Sequence, residues 1–151
     1  MAASFPSAAV NYVQMQRGPV VPATVCEATA RLRTAPASAV SFLNDSRVAL
    51  VSSPQVVITG TQLAFGKQDS DFKLAFERLE KTLVAYKTRH DHVVMAHLYV
   101  TGSGFSSRVL AIESAQAGTS HAPASTLVPY ESLPSLDALF GIDVIAVPGN
   151  Y

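Results

Sequence analysis

The chain has 151 residues, of which 48% are hydrophobic and 15% charged, so it can bury one sizeable core but is too short for two ordinary domains. Eleven basic and eleven acidic side chains cancel to a net charge of zero. This balance excludes the broad positive field that non-specific binding to nucleic acid or to a membrane surface requires.

The composition also bears on compartment and cofactors. A lone cysteine, Cys26, excludes an internal disulfide, and its neighbours indicate a small buried hydrophobe rather than a reactive thiol. No cluster of Cys and His residues has the spacing of a zinc site. The N-terminal residues have neither the basic start of a signal peptide nor an apolar run of membrane-spanning length. We therefore expect a cytoplasmic protein that holds no metal and no other cofactor.

Residues 1–44 differ in composition from the rest, because Ala, Ser, Thr and Pro dominate them. Short strands are predicted over 10–16 and 25–32, on either side of a Gly-Pro turn. We expect this stretch to be an N-terminal strand extension that precedes a main domain at 45–151.

The main domain begins with two β-branched runs, 47–53 and 55–65, which predict a hairpin. A helix is predicted over 69–88, where apolar residues recur every three or four positions. That stripe consists of Phe72, Ala75, Phe76, Leu79, Leu83 and Tyr86. Residues 93–100 alternate but are apolar on both faces, which is typical of a central strand.

The remaining segments predict a second helix and two strands. Phe105, Val109 and Ile112 share one face of a helix that ends at Gly118, and the strands follow at 125–133 and 139–147. The order ββαβαββ favours an α+β fold, a mixed sheet with both helices on one face. The other face then needs a cover, and another subunit is the simplest candidate.

Histidines and glycines give weak signals for chemistry. The HDH sequence at 90–92 follows a helix and is more typical of a polar turn than of a metal site. His97 shares a strand face with apolar neighbours, which favours a half-buried, hydrogen-bonded histidine over a general base. The GSG sequence at 102–104 lacks the frame of a nucleophile elbow or a phosphate loop.

Three charged residues are stronger candidates for a binding role. Asp143 lies between apolar residues of a strand, so it either faces solvent at an edge or needs a donor in a buried cleft. Arg47 and Arg108 lie near predicted hairpin and helix ends, where a guanidinium could bind a carboxylate, although surface solvation is the simpler role. No catalytic residue can be assigned from these patterns.

Four stretches together resemble the RidA/YjgF family, also described as endoribonuclease L-PSP. They are QVVITGTQL, ERLEKTLVAY, VVMAHLYVTG, and the closing segment APASTLVPYESLP with its following IDVIAV. The resemblance covers 46–148 and implies a chorismate-mutase-like fold that forms homotrimers with ligand clefts between subunits. Such a trimer would cover the open face of the sheet.

In active members of that family, an arginine follows Pro-Ala in the closing segment and holds the carboxylate of an enamine or imine, which a bound water hydrolyses. Here Ser125 follows Pro-Ala, and a hydroxyl cannot replace a bidentate cation. By the same resemblance, the family's acid on the last strand falls near Gly141, two positions before Asp143 on the same strand face.

The resemblance carries over few other site residues. The family's tyrosine falls near Arg47, its asparagine near Arg108, and its Ser-Gly at Gly60 and Thr61. We expect a small-metabolite site whose cation is one of these arginines. The predicted ligand-binding residues are Arg47, Gly60, Thr61, Arg108, Ser125, Thr126 and Asp143.

The stretch 22–32 looks like another copy of the closing segment, again without its arginine, which indicates a truncated tandem repeat or chance similarity in an Ala-rich sequence. An apolar strand of that kind would have to pair with the sheet or with a neighbour.

Three functional hypotheses remain open. The first is a divergent, trimeric RidA-like protein that binds a small carboxylate- or carbonyl-bearing metabolite without imine deamination. The second is an enzyme with altered chemistry, chorismatase-like or a deaminase, in which Asp143 or Glu131 is the acid/base. The third is a structural or partner-binding trimer that depends on residues 1–44. RNA cleavage is disfavoured because the sequence has no basic stripe.

Overall fold

The computed structural model describes residues 27–45, 47–117, 122–130, 133 and 135–148. The strand predicted at 10–16, Cys26, the helix end at Gly118 and the candidate acid Glu131 lie outside the described residues. None of the described helices is long and apolar enough to cross a bilayer.

The described chain is a mixture of short strands and two longer helices. Its strands are β1 (Val40–Leu43), β2 (Val48–Val51), β3 (Val57–Ile58), β4 (Gln62–Ala64), β5 (Val93–Val100), β6 (Ala124–Pro129) and β7 (Phe140–Ala146). The α-helices are α1 (Asp69–Ala85) and α2 (Ser106–Ala117), and single 3-10 turns cover His90–His92 and Ser103–Phe105.

The main sheet has the order β3-β7-β5-β6, and β4 also pairs with β7. Strand β5 runs parallel to β6 and antiparallel to β7, so the sheet is mixed and β5 is central, as its two apolar faces predict. β1 and β2 form a separate antiparallel hairpin, and β2 comes into contact with β5.

Helix α1 begins with a capping box, in which the Gln68 N–H donates to the Asp71 carboxylate at 2.9 Å. The helix buries the predicted stripe from Phe72 to Leu83, whereas Tyr86 is exposed. Both helices pack on the face of the sheet that β5 presents through Ala96, Leu98 and Val100.

Three aromatic side chains fix α1 on the sheet. The ring centroid of Phe140 lies 5.7 Å from that of Phe72 and 5.6 Å from that of Phe76, and all three side chains are fully buried. Burial contributes about 1.5–3 kcal/mol for each side chain of this size. With Val109 and Ile112 of α2 in the same core, this packing confirms the predicted α+β arrangement, with two helices on one face of a mixed sheet.

The predicted hairpin between 47–53 and 55–65 is wrong. β2 pairs with β1, because Asn44 and Asp45 both take positive φ angles of 53° in the turn that joins them. The run 55–65 forms two short strands, β3 and β4, which pair with β7 instead. β1 lies within residues 1–44, so its pairing crosses the expected boundary at 44/45.

The strand predicted at 25–32 is also wrong in its described part. Residues 27–39 contain no helix or strand, and 27–32 are exposed. Alternation of apolar and polar side chains does not produce a strand where no neighbouring edge satisfies the backbone. The helix predicted over 69–88 ends at Ala85, because Lys87 adopts a φ of 57° that no right-handed helix continues.

Candidate functional site

Alternation along β5 places His97 on the face of the sheet opposite the helices. Its neighbours Ala96 and Leu98 are buried beneath the helices, whereas His97 and Tyr99 are half-buried on the open face. Register then aligns His97 with Asp143 on β7 and with Thr126 on β6. The central strand therefore brings side chains from three strands together around one imidazole.

The imidazole of His97 is held between two carboxylates. Its Nδ1–H donates to Asp143 Oδ1 at 2.6 Å, and its Nε2–H donates to Glu27 Oε1 at 2.8 Å. The Thr61 hydroxyl donates to the second Asp143 oxygen at 2.9 Å. We call these four residues, His97, Asp143, Glu27 and Thr61, the histidine cluster.

The electrostatics of the histidine cluster favour a protonated ring. The hydrogen bond to Asp143 outweighs burial and, with a second bond to Glu27, raises the pKa of His97 to about 9. Burial raises the pKa of Asp143, but hydrogen bonds from His97, Thr61 and Tyr99 outweigh it, and the net pKa is lowered. At neutral pH, the histidine cluster therefore holds one imidazolium and two carboxylates.

Aromatic side chains border the histidine cluster on one side. The ring centroid of Tyr99 lies 6.4 Å from that of His97 and 5.7 Å from that of Tyr130. Burial, followed by the hydrogen bond to Asp143, raises the pKa of Tyr99, so its hydroxyl stays protonated and can donate. A small polar ligand would meet the His97 cation beside two aromatic rings here.

The structure brings together part of the predicted ligand-binding set. Thr61 and Asp143 belong to the histidine cluster, Thr126 is in register with His97, and the exposed Gly60 precedes Thr61. Asp143 lies on an inner strand and is paired, because His97 on the neighbouring strand supplies the hydrogen-bond donor that a buried carboxylate needs.

Ser125 lies on the opposite face of the sheet. It is in register with Ala96, which faces the helices, and it hydrogen-bonds Glu113 of α2. Glu113 is only 5% exposed, and burial raises its pKa to about 7, partly offset by the Ser125 bond. Its Oε1 atom has no hydrogen-bond partner among the described residues.

The two arginines of the predicted set lie away from the histidine cluster. Arg108 of α2 donates to Asp69 of α1 at 2.8 Å and to the Lys67 carbonyl at 2.8 Å, and its guanidinium lies over the Phe72 ring at 5.2 Å. It therefore joins the two helices. Arg47 is exposed at the end of the β1-β2 turn, where its N–H donates to the Asn44 carbonyl.

The acid that the resemblance carries over to β7 is absent from its expected position. Gly141 is in register with Tyr99, so Gly141 and Asp143 share the open face, as the sequence analysis expected. A side chain at Gly141 would crowd its neighbours, because a Cβ there would lie 3.0 Å from Thr61 and 3.2 Å from Leu63. Asp143 is the carboxylate that the open face accommodates.

The HDH sequence forms a polar turn. Arg89 pairs with Asp91, while the largely buried His90 packs on Phe76, and burial lowers its pKa. Among the described residues, no group of three His, Cys, Asp or Glu side chains could hold a metal ion.

Sequence reasoning left three members of the site out of the predicted ligand-binding set, because it assigned His97 a structural role and did not select Glu27 or Tyr99. Glu27 comes from 70 residues away in the chain, and no pattern in an irregular segment predicts where it docks. Tyr99 was predictable in principle, because the i, i+2 rule of a strand puts it on the same face as His97. Its alternation was interpreted as apolar burial only.

Comparison with known proteins agrees with this architecture. A family model described as endoribonuclease L-PSP matches residues 33–148, which is more than half of the chain. A search of curated proteins finds no match.

Several solved structures share the fold. A Rid-family protein of unknown function, YyfB from Yersinia pestis, is 13% identical with a TM-score of 0.66, over 73% of this chain and 99% of that one. A YjgF-family member from Mycobacterium tuberculosis is 22% identical with a TM-score of 0.56, over 67% and 84%. RidA from an Antarctic Psychrobacter is 17% identical with a TM-score of 0.57, over 70% and 97%. At such identities these structures show the fold alone. With the family match, the chain belongs to the RidA/YjgF family.

Proposed function

We propose that this RidA-like protein binds a small carboxylate-bearing metabolite at the histidine cluster and does not catalyse the standard hydrolysis of enamines or imines. The observation that carries the proposal is the His97 ring, whose outward Nε2–H already donates to a carboxylate oxygen at 2.8 Å. Its other N–H is fixed by Asp143, so the charge stays in place when the outer partner changes.

The chemistry of the open face fits a carboxylate. Charge-assisted hydrogen bonds between an imidazolium and a carboxylate are about twice as strong as neutral ones, particularly where the site is partly desolvated. His97 and Asp143 are both half-buried, and the Thr126 hydroxyl can add a neutral donor. His97 thereby supplies the cation that the family's arginine would otherwise provide.

The surroundings of Ser125 and Gly141 argue against imine hydrolysis. An arginine introduced at Ser125 would meet the buried carboxyl of Glu113 on the helix face, not a ligand on the open face. Asp143, for its part, is committed to His97 and Thr61, so it positions the imidazole and is a poor base for a hydrolytic water.

Thermal unfolding with a carboxylate and its amide tests the binding proposal. We expect pyruvate to raise the Tm of the wild-type protein at pH 7, and propionamide to leave the Tm unchanged. His97→Gln should abolish the pyruvate effect, because glutamine keeps a hydrogen bond but loses the charge. Ser125→Ala, on the opposite face, should retain it.

Two results would count against this function. Equal stabilisation of wild type and His97→Gln by pyruvate would show that pyruvate does not bind at His97 on the open face. A wild-type rate of imine hydrolysis well above the uncatalysed rate would contradict the loss of deaminase chemistry.

A second candidate function is acid–base catalysis on a carboxylate substrate, which the short His97–Asp143 bond favours. A histidine oriented by a carboxylate is a common proton-transfer pair. A turnover assay distinguishes the two candidate functions. A binding protein releases pyruvate analogues unchanged, whereas an enzyme converts its substrate, and its catalytic rate falls in Asp143→Asn.

We also propose that the protein assembles as a homotrimer through the open face. Apart from the histidine cluster, this face presents half-buried apolar side chains, among them Met95 and Ile145. Covering them with a second copy would remove apolar surface from water and leave the histidine cluster beside the seam between subunits.

A further inference from the structure

We infer that Glu27 competes with the ligand: its carboxylate occupies the position of the ligand's carboxylate on His97, so a ligand must displace the Glu27 side chain before it binds. The inference rests on the proposed function and extends it to the regulation of the same site. It is motivated by the origin and geometry of the Glu27 contact.

The geometry separates the two carboxylates of the histidine cluster. Asp143 belongs to β7, the strand paired with β5, and Thr61 holds its second oxygen. Glu27 bonds the opposite nitrogen of the ring and comes from a segment without helix or strand. Asp143 is thus part of the sheet, whereas Glu27 approaches from outside it.

The environment of Glu27 makes exchange feasible. Its side chain is 34% exposed in the ion pair, and residues 27–35 around it are exposed throughout. An ion pair that is partly open to solvent contributes little to stability, so displacing Glu27 costs little. A free carboxylate can replace this contact with one of the same chemical kind.

Charge balance supports the same conclusion. With His97 protonated, the two carboxylates of the histidine cluster exceed its one cation, so a third anion is repelled while Glu27 is in place. Once the Glu27 carboxylate leaves, the charges of His97 and Asp143 cancel. A ligand with one negative charge then restores the original net charge of the site. Glu27 and the ligand therefore exclude each other.

The test compares pyruvate binding by full-length wild type, Glu27→Gln and the matched control Glu77→Gln, which removes the same charge from an exposed position on α1. If Glu27 occupies His97 in nine molecules of ten, its removal should tighten the apparent Kd for pyruvate about tenfold. The Glu77→Gln protein should bind as the wild type does.

A ligand-free readout keeps the two proposals apart. Histidine side-chain NMR should show a lower pKa for His97 in Glu27→Gln than in wild type, because one hydrogen-bonded carboxylate is lost. Pyruvate binding that depends on His97 but is equal or weaker in Glu27→Gln would overturn the competitor and leave the binding function standing. No pyruvate binding by any of the three proteins would overturn both.

Discussion

At the scale of single residues, burial raises the pKa of Glu113 to about 7, so this side chain changes its charge near neutral pH. Its carboxyl lies between α2 and β6, with one oxygen bonded to Ser125 and the other without a partner among the described residues. An ionised carboxylate in such a place is penalised more than a neutral one. Glu113 should therefore destabilise the fold above its own pKa.

We predict that Glu113→Gln raises the free energy of unfolding at pH 8 and changes it little at pH 4. The pKa of about 7 in the folded state lies above the ordinary glutamate value of 4.5, so the unfolded state loses its proton first as the pH rises. Stability falls between these two values and stays lower above pH 7, by on the order of 2–3 kcal/mol. Glutamine mimics the neutral acid and avoids this loss.

Urea unfolding at both pH values measures the effect, with Glu77→Gln as the exposed control. A Glu113→Gln protein that is less stable than wild type at pH 8 would show that the ionised carboxylate has a compensating partner.

At the scale of elements, Arg108 joins the two helices through its charge and its flat surface. The guanidinium bonds Asp69 in the first turn of α1 and lies near the rings of Phe72 and Phe105, at 5.2 and 5.9 Å. The ion pair is partly exposed, with side chains 37% and 59% accessible, so it contributes little by itself. Stacking of the guanidinium on the two aromatic rings supplies the rest of the stability that Arg108 contributes.

We predict that Arg108→Ala lowers the free energy of unfolding by about 1–2 kcal/mol and leaves the pyruvate affinity unchanged. Arg108→Lys should recover less than half of that loss, because an ammonium cannot stack and bond Asp69 and the Lys67 carbonyl together. Urea unfolding and calorimetric titration give the two quantities. A Kd weakened tenfold in Arg108→Ala would instead return this arginine to the ligand site.

Periodicity predicted the elements that have enough residues to display it. The apolar stripe from Phe72 to Leu83 and the alternation of Val93–Val100 gave α1 and β5 with nearly the observed bounds. The pairing of the strands was harder to predict from the sequence. β2 pairs with β1 through a turn at Asn44, and the sequence signal for that turn is only two residues long. Short strands carry too few alternating positions to specify a partner.

Only the part of the candidate site that lies on paired strands was predictable from the sequence. His97 and Asp143 were each singled out as polar residues within apolar strands, and pairing of β5 with β7 explains both at once. The resemblance directed attention to Ser125, one position away from Thr126, and a single step along a strand reverses the face. No local rule could bring Glu27 across 70 positions.

At the scale of the whole molecule, the two faces of the sheet differ in kind. Helices and aromatic rings fill one face completely, whereas the other keeps half-buried apolar residues beside a charged histidine cluster. Both described helices pack on the first face, so neither of them covers the second one. Closed assembly of identical subunits would cover such a face, as in the homotrimer that we propose.

We predict that light scattering gives the wild-type protein three times the mass of one chain. Ile145→Asp should reduce it to a single chain, because an unpaired carboxylate among apolar side chains is costly to bury against another copy. Leu136→Asp is the matched control, since Leu136 is 89% exposed and its replacement should leave the mass unchanged. A wild-type mass of one chain at micromolar concentration would contradict the trimer.

The central claim is that the His97 imidazolium receives the carboxylate of a small metabolite, and nitrogen NMR of ¹⁵N-histidine-labelled protein tests it most directly. Four histidines give few resonances, and their comparison with His97→Gln identifies that of His97. We predict that pyruvate shifts the His97 Nε2 resonance in a saturable way, whereas propionamide does not. Saturable binding of pyruvate with an unchanged His97 resonance would place the ligand elsewhere and contradict the account.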